Sequence, residues 1–384
     1  MQKPDSYENT TLHSDHPYSP RKDIDNIDIQ HDLAEFDDEL HHELLWSRIR
    51  HYIRDPAAEF LGVMIMIIFG DGSVAQVLLS SSTNLPESSQ DKGTYQSISW
   101  GWGLGVMLGV YVSGCAGGHL NPAITFINCI FRDFSWKKFP IYAVAQTLGA
   151  FCGAAIIYGN YKSAIDVYEG GAGIRTVPGY SEHATAGVFC TYPQPFMERV
   201  GMFFSEFIAS TVLAFVIFAL KDDANLGAGN LIPLALFFLI FGIGATLGWE
   251  TGYAINLARD FGPRLFTYTV GYGPHVWTAG GYYFWIPVVS PFLGCTFGAF
   301  LYDLLIFTGH SPINTPWLGF KRMVRPDHST LDAKIRKWHA RRGGPESRMT
   351  DIESGNLANR GKGHGVENAK DGGWGRDAIE EALK

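Results

Sequence analysis

Stretches of mostly apolar residues alternate with polar connections along the middle of the chain. Each stretch is long enough to cross a hydrocarbon core of about 30 Å as a helix, which takes roughly 20 residues. The stretches cover residues 57–80, 98–115, 138–159, 200–220, 229–248 and 281–307. The pattern predicts an all-α, multi-pass integral membrane protein with six transmembrane helices.

Polar tails flank this apolar region, so the mean hydropathy of the 384 residues is only +0.01. We expect a cytoplasmic N-terminal tail at 1–55, a membrane domain at 56–308 and a largely disordered cytoplasmic tail at 309–384. The N-terminal tail has apolar residues at helical spacing, which indicates an amphipathic helix along the inner membrane surface. One hypothesis is that this helix gates the membrane domain; unchanged solute flux after deletion of residues 1–40 would exclude it.

The basic residues predict the orientation in the membrane. They cluster before the first stretch, between the second and third, and after the sixth, and cytoplasmic connections are enriched in Lys and Arg. With no secretory signal ahead of it, the first stretch is expected to act as the insertion signal. Both termini are therefore expected in the cytoplasm, in agreement with an even number of spans. The basic residues concerned are Arg48, Arg50, Arg54, Arg132, Lys137, Lys138, Lys321, Arg322 and Arg325.

Two related segments are too apolar for exposed loops and too interrupted by glycine for plain helices: "GGHLNPAITF" at 117–126 and "GYAINLARDF" at 252–261. Three spans separate them, so they enter the membrane from opposite sides. The sequences "AEFLG" and "SEFIA", which carry Glu59 and Glu206, mark the corresponding first helices of two halves. This is an inverted repeat, whose functional site lies near the membrane midplane.

Each segment has the length of a half-helix that stops at the centre of the membrane. Residues 121–130 would span ~15 Å, half of the hydrocarbon thickness. Asn121 and Asn256 are good N-caps, and Pro122 suits the first helical turn. The residues before each cap are expected to be extended, with free carbonyls that line a pore. Ordinary loops with an Asn-Pro turn are the alternative for either segment alone. The expected lining residues are Gly117, Gly118, His119, Leu120, Gly252, Ala254 and Ile255.

The motifs "SGCAGGHLNPAITF", "TGYAINLARDFGPRLF" and "YFWIPVVSPFLG" resemble the aquaporin family, and specifically its glycerol-conducting branch, over residues 56–308. The resemblance implies an aquaporin-like fold with two membrane-dipping half-helices, and a passive channel for glycerol and water. It also implies a homotetramer in a lipid bilayer, taken as the plasma membrane. No cofactor, metal ion, nucleic acid or enzymatic activity is expected.

The same resemblance implies the roles of the pore residues. Asn121 and Asn256 donate to the permeating solute at the centre, and Arg259 forms the narrowest filter. The other filter walls are Trp102, Tyr253 and Gly244, where the glycine leaves room that a water-selective pore fills with histidine. Core packing remains open for Trp102, and Gly101 or Trp100 are alternatives at its place.

The half-helices are expected to meet through Pro122, Ala123, Leu257 and Ala258. Leu257 stands where the family's second motif usually has proline, so the centre of the pore is expected to be slightly reshaped. Glu59, Glu206 and Asp260 are interpreted as acids that support the dipping loops. His119 is interpreted as a pore-side or loop-fixing residue rather than a metal ligand.

Three other functions are alternatives to a glycerol channel. A proton-coupled transporter of small polyols would need a relay, and membrane charges beyond Glu59, Glu206, Arg259 and Asp260 are not expected. An intramembrane enzyme is disfavoured because no catalytic motif is present. A water-selective aquaporin is the rival that the sequence leaves open.

Overall fold

The computed structural model describes residues 44–315. Within this range the chain is mostly helical and forms no named β-strand, which confirms the predicted fold class. The tails predicted at 1–55 and 309–384, with the proposed gating helix, lie largely outside the described residues. The helices are α1 (Leu45–Ser80), α2 (Tyr95–Ser113), α3 (Pro122–Phe131), α4 (Lys138–Tyr168), α5 (Arg199–Leu220), α6 (Ile232–Leu247), α7 (Leu257–Thr267), α8 (His275–Tyr282) and α9 (Trp285–Leu305).

The helices α1, α2, α4, α5 and α9 are long and apolar enough to cross a membrane, and so is α6 together with the helical turn before it, Gly229–Leu247. They correspond one to one with the predicted apolar stretches. The helix α1 begins well before its apolar stretch and continues through Pro56, and α4 continues beyond residue 159 to Tyr168. The described part of the chain is thus a six-span helical membrane domain.

The helices α3 and α7 are the two predicted half-helices. Each is capped by its asparagine: Asn121 Oδ1 accepts from the Ala123 N–H at 2.9 Å, and Asn256 Oδ1 accepts from the Ala258 N–H at 2.9 Å. Pro122 occupies the first turn of α3, where a missing N–H has no consequence. Both helices therefore begin at the residue that the sequence indicated.

The two halves of the chain pack alike, and close glycine contacts explain how. In the first half, α1 packs on α2 and α4; in the second half, α5 packs on α6 and α9. A β-carbon at Gly149 would lie 2.2 Å from the carbonyl oxygen of Phe60, and one at Gly294 would lie 2.4 Å from that of Phe207. These carbonyls belong to the residues that directly follow Glu59 and Glu206, so equivalent helices touch at equivalent points.

The half-helices lock the two halves together. The helix α7, from the second half, packs against α4 of the first, and α3 packs against α9. Each half-helix is therefore held partly by the repeat to which it does not belong.

A long connection between α4 and α5 covers one end of the bundle. Glu169 Oε1 accepts hydrogen bonds from the backbone N–H groups of Thr176 and Thr185, both at 3.1 Å. The hydroxyl groups of Thr185 and Tyr272 lie 2.7 Å apart, which ties this connection to the segment after α7. These hydrogen bonds make the connection an ordered part of the fold.

Candidate functional site

The tips of the two half-helices meet through a reciprocal pair of hydrogen bonds. Asn121 Nδ2 donates to the Ile255 carbonyl at 2.8 Å, and Asn256 Nδ2 donates to the Leu120 carbonyl at 2.8 Å. Each side chain therefore caps its own helix with its oxygen and holds the opposite segment with its amide. The second N–H of each amide is not needed for either contact.

The segments before the caps are irregular rather than extended, which corrects the sequence expectation. Leu120, Tyr253 and Ile255 have φ values of 53°, 38° and 42°, in the left-handed region. A side chain in this region costs roughly 1–3 kcal/mol. The reason for the departure is that left-handed residues aim consecutive N–H groups at one acceptor, which an extended strand does not do.

Those acceptors are the two buried glutamates. Glu59 accepts from the N–H groups of His119 and Leu120, both at 2.8 Å. Glu206 accepts from those of Ala254 and Ile255, at 2.9 and 2.8 Å. Side-chain donors complete each site: Gln146 Nε2 donates to Glu59 and Thr251 Oγ1 donates to Glu206, both at 2.8 Å.

His119 is buried, and its contacts fix it in the loop. Its Nδ1 lies 3.2 Å from Thr125 Oγ1, and its ring packs against those of Phe134 and Tyr142. Within residues 44–315 no cluster of His, Cys, Asp and Glu has the arrangement of a metal site. His119 also borders a cavity that Asn121 and Asn256 line.

Two cavities follow one another through the bundle. The inner cavity, about 80 Å³, borders both asparagines and extends to Lys221. The outer cavity, about 640 Å³, lies under the connection between α4 and α5. Trp102, Tyr253 and Arg259 border both cavities and so form the neck between them. Among the predicted lining residues, the inner cavity is bordered by Gly117, Gly118, His119, Leu120, Ala254 and Ile255, and the outer one by Gly252.

The residue that α2 contributes to the neck is Trp102, and not Trp100 or Gly101. The Arg259 guanidinium carbon lies 4.0 Å from the centroid of the Trp102 ring. Trp100 instead packs against Phe237 and Phe241. Gly101 faces α1, where a β-carbon would lie 2.3 Å from Ser73.

Gly244 lies behind the neck. It borders neither of the two cavities, and a β-carbon at this position would lie 2.8 Å from the Tyr253 ring and hydroxyl. The space left by the missing side chain is taken by the tyrosine, so the glycine determines where that ring can stand.

Arg259 itself is nearly buried, with 7% of its surface exposed. Its Nη1 donates to the Phe189 carbonyl at 3.0 Å. This hydrogen bond anchors the guanidinium to the connection between α4 and α5, called the outer connection below. Asp260 directly follows Arg259 in the chain and would be its nearest acid by sequence. The structure instead pairs Asp260 with Arg264, whose Nε donates to Asp260 Oδ2 at 2.8 Å.

Asp260 supports the outer connection rather than a dipping loop. Its Oδ1 accepts from Thr191 N at 2.8 Å and from Thr191 Oγ1 at 2.6 Å. Arg264 donates to the carbonyls of Thr191 and Val276 as well. The pair therefore fixes the roof of the outer cavity against α7.

Of the predicted contact residues at the half-helix tips, Pro122, Ala123 and Ala258 are buried and Leu257 is half-buried. The leucine does not shorten α7, which begins at this residue.

A profile of the family described as "Major intrinsic protein" matches residues 46–302. The chain belongs to this family. The major intrinsic protein family consists of channels rather than enzymes.

Curated relatives and a solved structure agree with the family assignment. "Probable aquaglyceroporin-2" of Gibberella zeae is 69% identical over 285 residues, which cover 74% of this chain and 82% of that protein. "Aquaglyceroporin-9" of Botryotinia fuckeliana is 64% identical over 282 residues, 73% of this chain and 60% of that protein. The X-ray structure of the aquaglyceroporin from Plasmodium falciparum has a TM-score of 0.57 at 31% identity, covering 66% of this chain and 97% of that one.

Further charged residues of this major intrinsic protein lie in the membrane domain. Arg264, Asp71 and Asp303 are all buried there, so the expectation of no membrane charges beyond four residues was wrong. Asp71 stands in the sequence "IIFGDGSV" inside the first apolar stretch, where a lone acid is itself a functional signal.

Proposed function

We propose that the chain is a passive channel that conducts glycerol, other small neutral solutes and water, and excludes ions and protons. The observation that carries the proposal is the neck, where Trp102, Tyr253 and Arg259 border both cavities. The names of the fungal relatives and of the Plasmodium falciparum structure support glycerol as the solute class.

The neck suits a solute with an apolar side and a hydroxyl side. The rings of Trp102 and Tyr253 offer an apolar wall to the carbon chain of a polyol. Arg259 has five N–H donors, of which one is committed to the Phe189 carbonyl. The remaining donors compensate the hydroxyl oxygens for the water that they lose.

Deeper in the pore, the asparagines and the irregular loops continue the polar track. Asn121 and Asn256 each keep one amide N–H for a passing oxygen, and carbonyls of residues 117–119 accept hydrogen bonds. Pro122, Ala123, Leu257 and Ala258 form the contact between the tips. Glu59 and Glu206 support the loops, and Asp260 supports the roof above the filter.

Ions meet two obstacles in this proposal. The half-helices α3 and α7 point their N-termini at each other, and each N-terminus is equivalent to roughly half a positive elementary charge. At the neck, the Arg259 guanidinium offers only N–H donors, which cannot replace the hydration shell of a cation. Cations, including hydronium, are excluded by such an arrangement.

We also propose a homotetramer in the plasma membrane with both termini in the cytoplasm. The outward face of α4 carries a stripe of exposed apolar side chains, Ile141, Val144 and Leu148. Their spacing places them on one side of the helix, which suits contact with lipid or a neighbouring subunit.

The proposal is tested with the purified full chain in liposomes under an inward glycerol gradient. Vesicles are expected to shrink as water leaves and then to reswell as glycerol enters, faster than protein-free vesicles. Shrinkage without faster reswelling would make the chain a water-selective pore. Reswelling that depends on an imposed proton gradient would favour a coupled transporter over a passive channel.

A further inference from the structure

Asp71, in the middle of α1, is a buried carboxylate to which the proposed function gives no role. None of its surface is exposed, and neither carboxylate oxygen has a hydrogen-bond partner among the described residues. A carboxylate that is buried without hydrogen bonds destabilises a fold strongly unless an opposite charge compensates it. A residue retained at such a cost is a candidate for function.

Arg259 provides the opposite charge. Its Nη1 lies 3.8 Å from Asp71 Oδ1, which is too long for a hydrogen bond but close enough for strong attraction away from water. The guanidinium is thus held on three sides: by the Asp71 carboxylate, by the Trp102 ring and by the Phe189 carbonyl.

The other buried charges nearby are already engaged with each other. Asp260 and Arg264 form a two-point ion pair, with distances of 2.8 and 3.0 Å. The formal charges of these two residues cancel, so Arg259 is left to be balanced by Asp71. Asp71 borders neither cavity, so it acts on a solute through its electric field rather than by contact.

We propose that Asp71 is the counter-ion of the neck arginine and determines the charge selectivity of the channel. It cancels much of the field of Arg259 in the lumen while leaving the N–H donors in place. The neck then offers hydrogen bonds to neutral hydroxyls with little net charge. This inference rests on the proposed role of the neck as the filter.

The test is a charge series at the neck. Wild type and the double variant Asp71→Asn/Arg259→Val have a formal neck charge of zero. Asp71→Asn alone has +1, and Arg259→Val alone has −1. Asparagine keeps the shape of aspartate. Packing is therefore matched between wild type and Asp71→Asn, and between Arg259→Val and the double variant. Potassium and chloride fluxes are measured in proteoliposomes by ion-sensitive dyes.

At alkaline pH, where the Asp71 carboxyl stays ionised without its counter-ion, Arg259→Val is expected to admit potassium about tenfold faster than the double variant, because only the single variant keeps a negative charge near the neck. Ser73→Ala in the Arg259→Val background is the matched control: Ser73 lies on the same helix and donates to the Gly70 carbonyl. The control is expected to keep the potassium leak. Equal leaks with and without Asp71 would overturn the proposal.

Two further measurements keep the result interpretable. Glycerol and water fluxes of the wild type are recorded first, because their absence contradicts the proposed function and not the pairing of the two charges. If Arg259→Val does not fold, Asp71→Asn is compared with wild type. The chloride-to-potassium ratio is then expected to rise about tenfold, and an unchanged ratio would overturn the proposal.

Discussion

At the scale of single residues, the width of the neck depends on Gly244, which has no side chain. Gly244 lets the Tyr253 ring stand against α6, and with it sets the distance from the tyrosine to Trp102 and Arg259. A second glycine, Gly248, also faces Tyr253, where a β-carbon would lie 2.4 Å from the ring. The width of the neck is therefore determined one layer behind its surface.

Gly244→Ala is expected to lower glycerol permeability several-fold while water permeability falls less. The added methyl group meets the Tyr253 ring at 2.8 Å and displaces it into the neck, and the larger solute is affected first. Gly242→Ala is the control, because a β-carbon there has no atom within 4 Å. Stopped-flow light scattering gives both permeabilities, and an equal ratio in the two variants would contradict the argument.

Local chemistry made some of these residues predictable from the sequence. Asn121 and Asn256 were predictable as N-caps because asparagine is among the favoured residues at a helix start, and Asn121 is followed by Pro122. The pairing of Asp71 with Arg259 could not be predicted, since it joins α1 to α7 through packing alone. The choice among Trp100, Gly101 and Trp102 likewise needed the rotation of α2, because its apolar residues surround the helix.

At the scale of elements, the crossing of neighbouring spans depends on glycine faces. In α4 and α9 these glycines bring a helix directly onto the backbone of its partner, with no side chain between them. In a bilayer, where apolar lipid competes with apolar side chains, such close packing is a main source of helix association.

Gly149→Ala is expected to destabilise the solubilised protein by about 1–3 kcal/mol, the usual cost of overpacking. The new methyl group would stand 2.2 Å from the Phe60 carbonyl oxygen, which cannot move without bending α1. Gly159→Ala, in the same helix, gains the same helix propensity but meets no atom within 4 Å. The midpoint of thermal unfolding in detergent should fall for Gly149→Ala and not for Gly159→Ala; a common shift would refute the packing argument.

The hydropathy pattern predicted the position of each span better than the residues at which its helix begins and ends. The pattern detects only the apolar part of a helix, and α1 and α4 continue beyond that part. At the end of α4, Lys162 donates to Asp166 at 2.9 Å and Arg175 donates to Asp166 at 2.7 Å. Such polar turns are stabilised by ion pairs that an apolarity pattern does not detect.

At the scale of the whole molecule, the number of spans fixes how the ends relate. Six crossings return the chain to the side from which it started, and the basic residues beside α1 and α3 predict that this side is cytoplasmic. Because an odd number of spans separates the two half-helices, they must enter the membrane from opposite sides. The inverted repeat was therefore predictable before any contact was known.

Tags fused to the N- and C-termini are expected to be inaccessible to antibody in intact cells and accessible after permeabilisation. A tag inserted in the connection between α4 and α5, near Gly179, should be accessible in both. The exposed position of that residue in the connection makes it the matched outer site. Labelling of an N-terminal tag on intact cells would contradict the predicted orientation and indicate the opposite one.

The crossed hydrogen bonds between Asn121 and Ile255 and between Asn256 and Leu120 also bear on biogenesis. Until residue 256 has been synthesised, the Asn121 amide and the Leu120 carbonyl lack the partners that they have in the folded chain. Neither repeat alone therefore satisfies the polar groups at its own tip, and both repeats are needed to close the midplane.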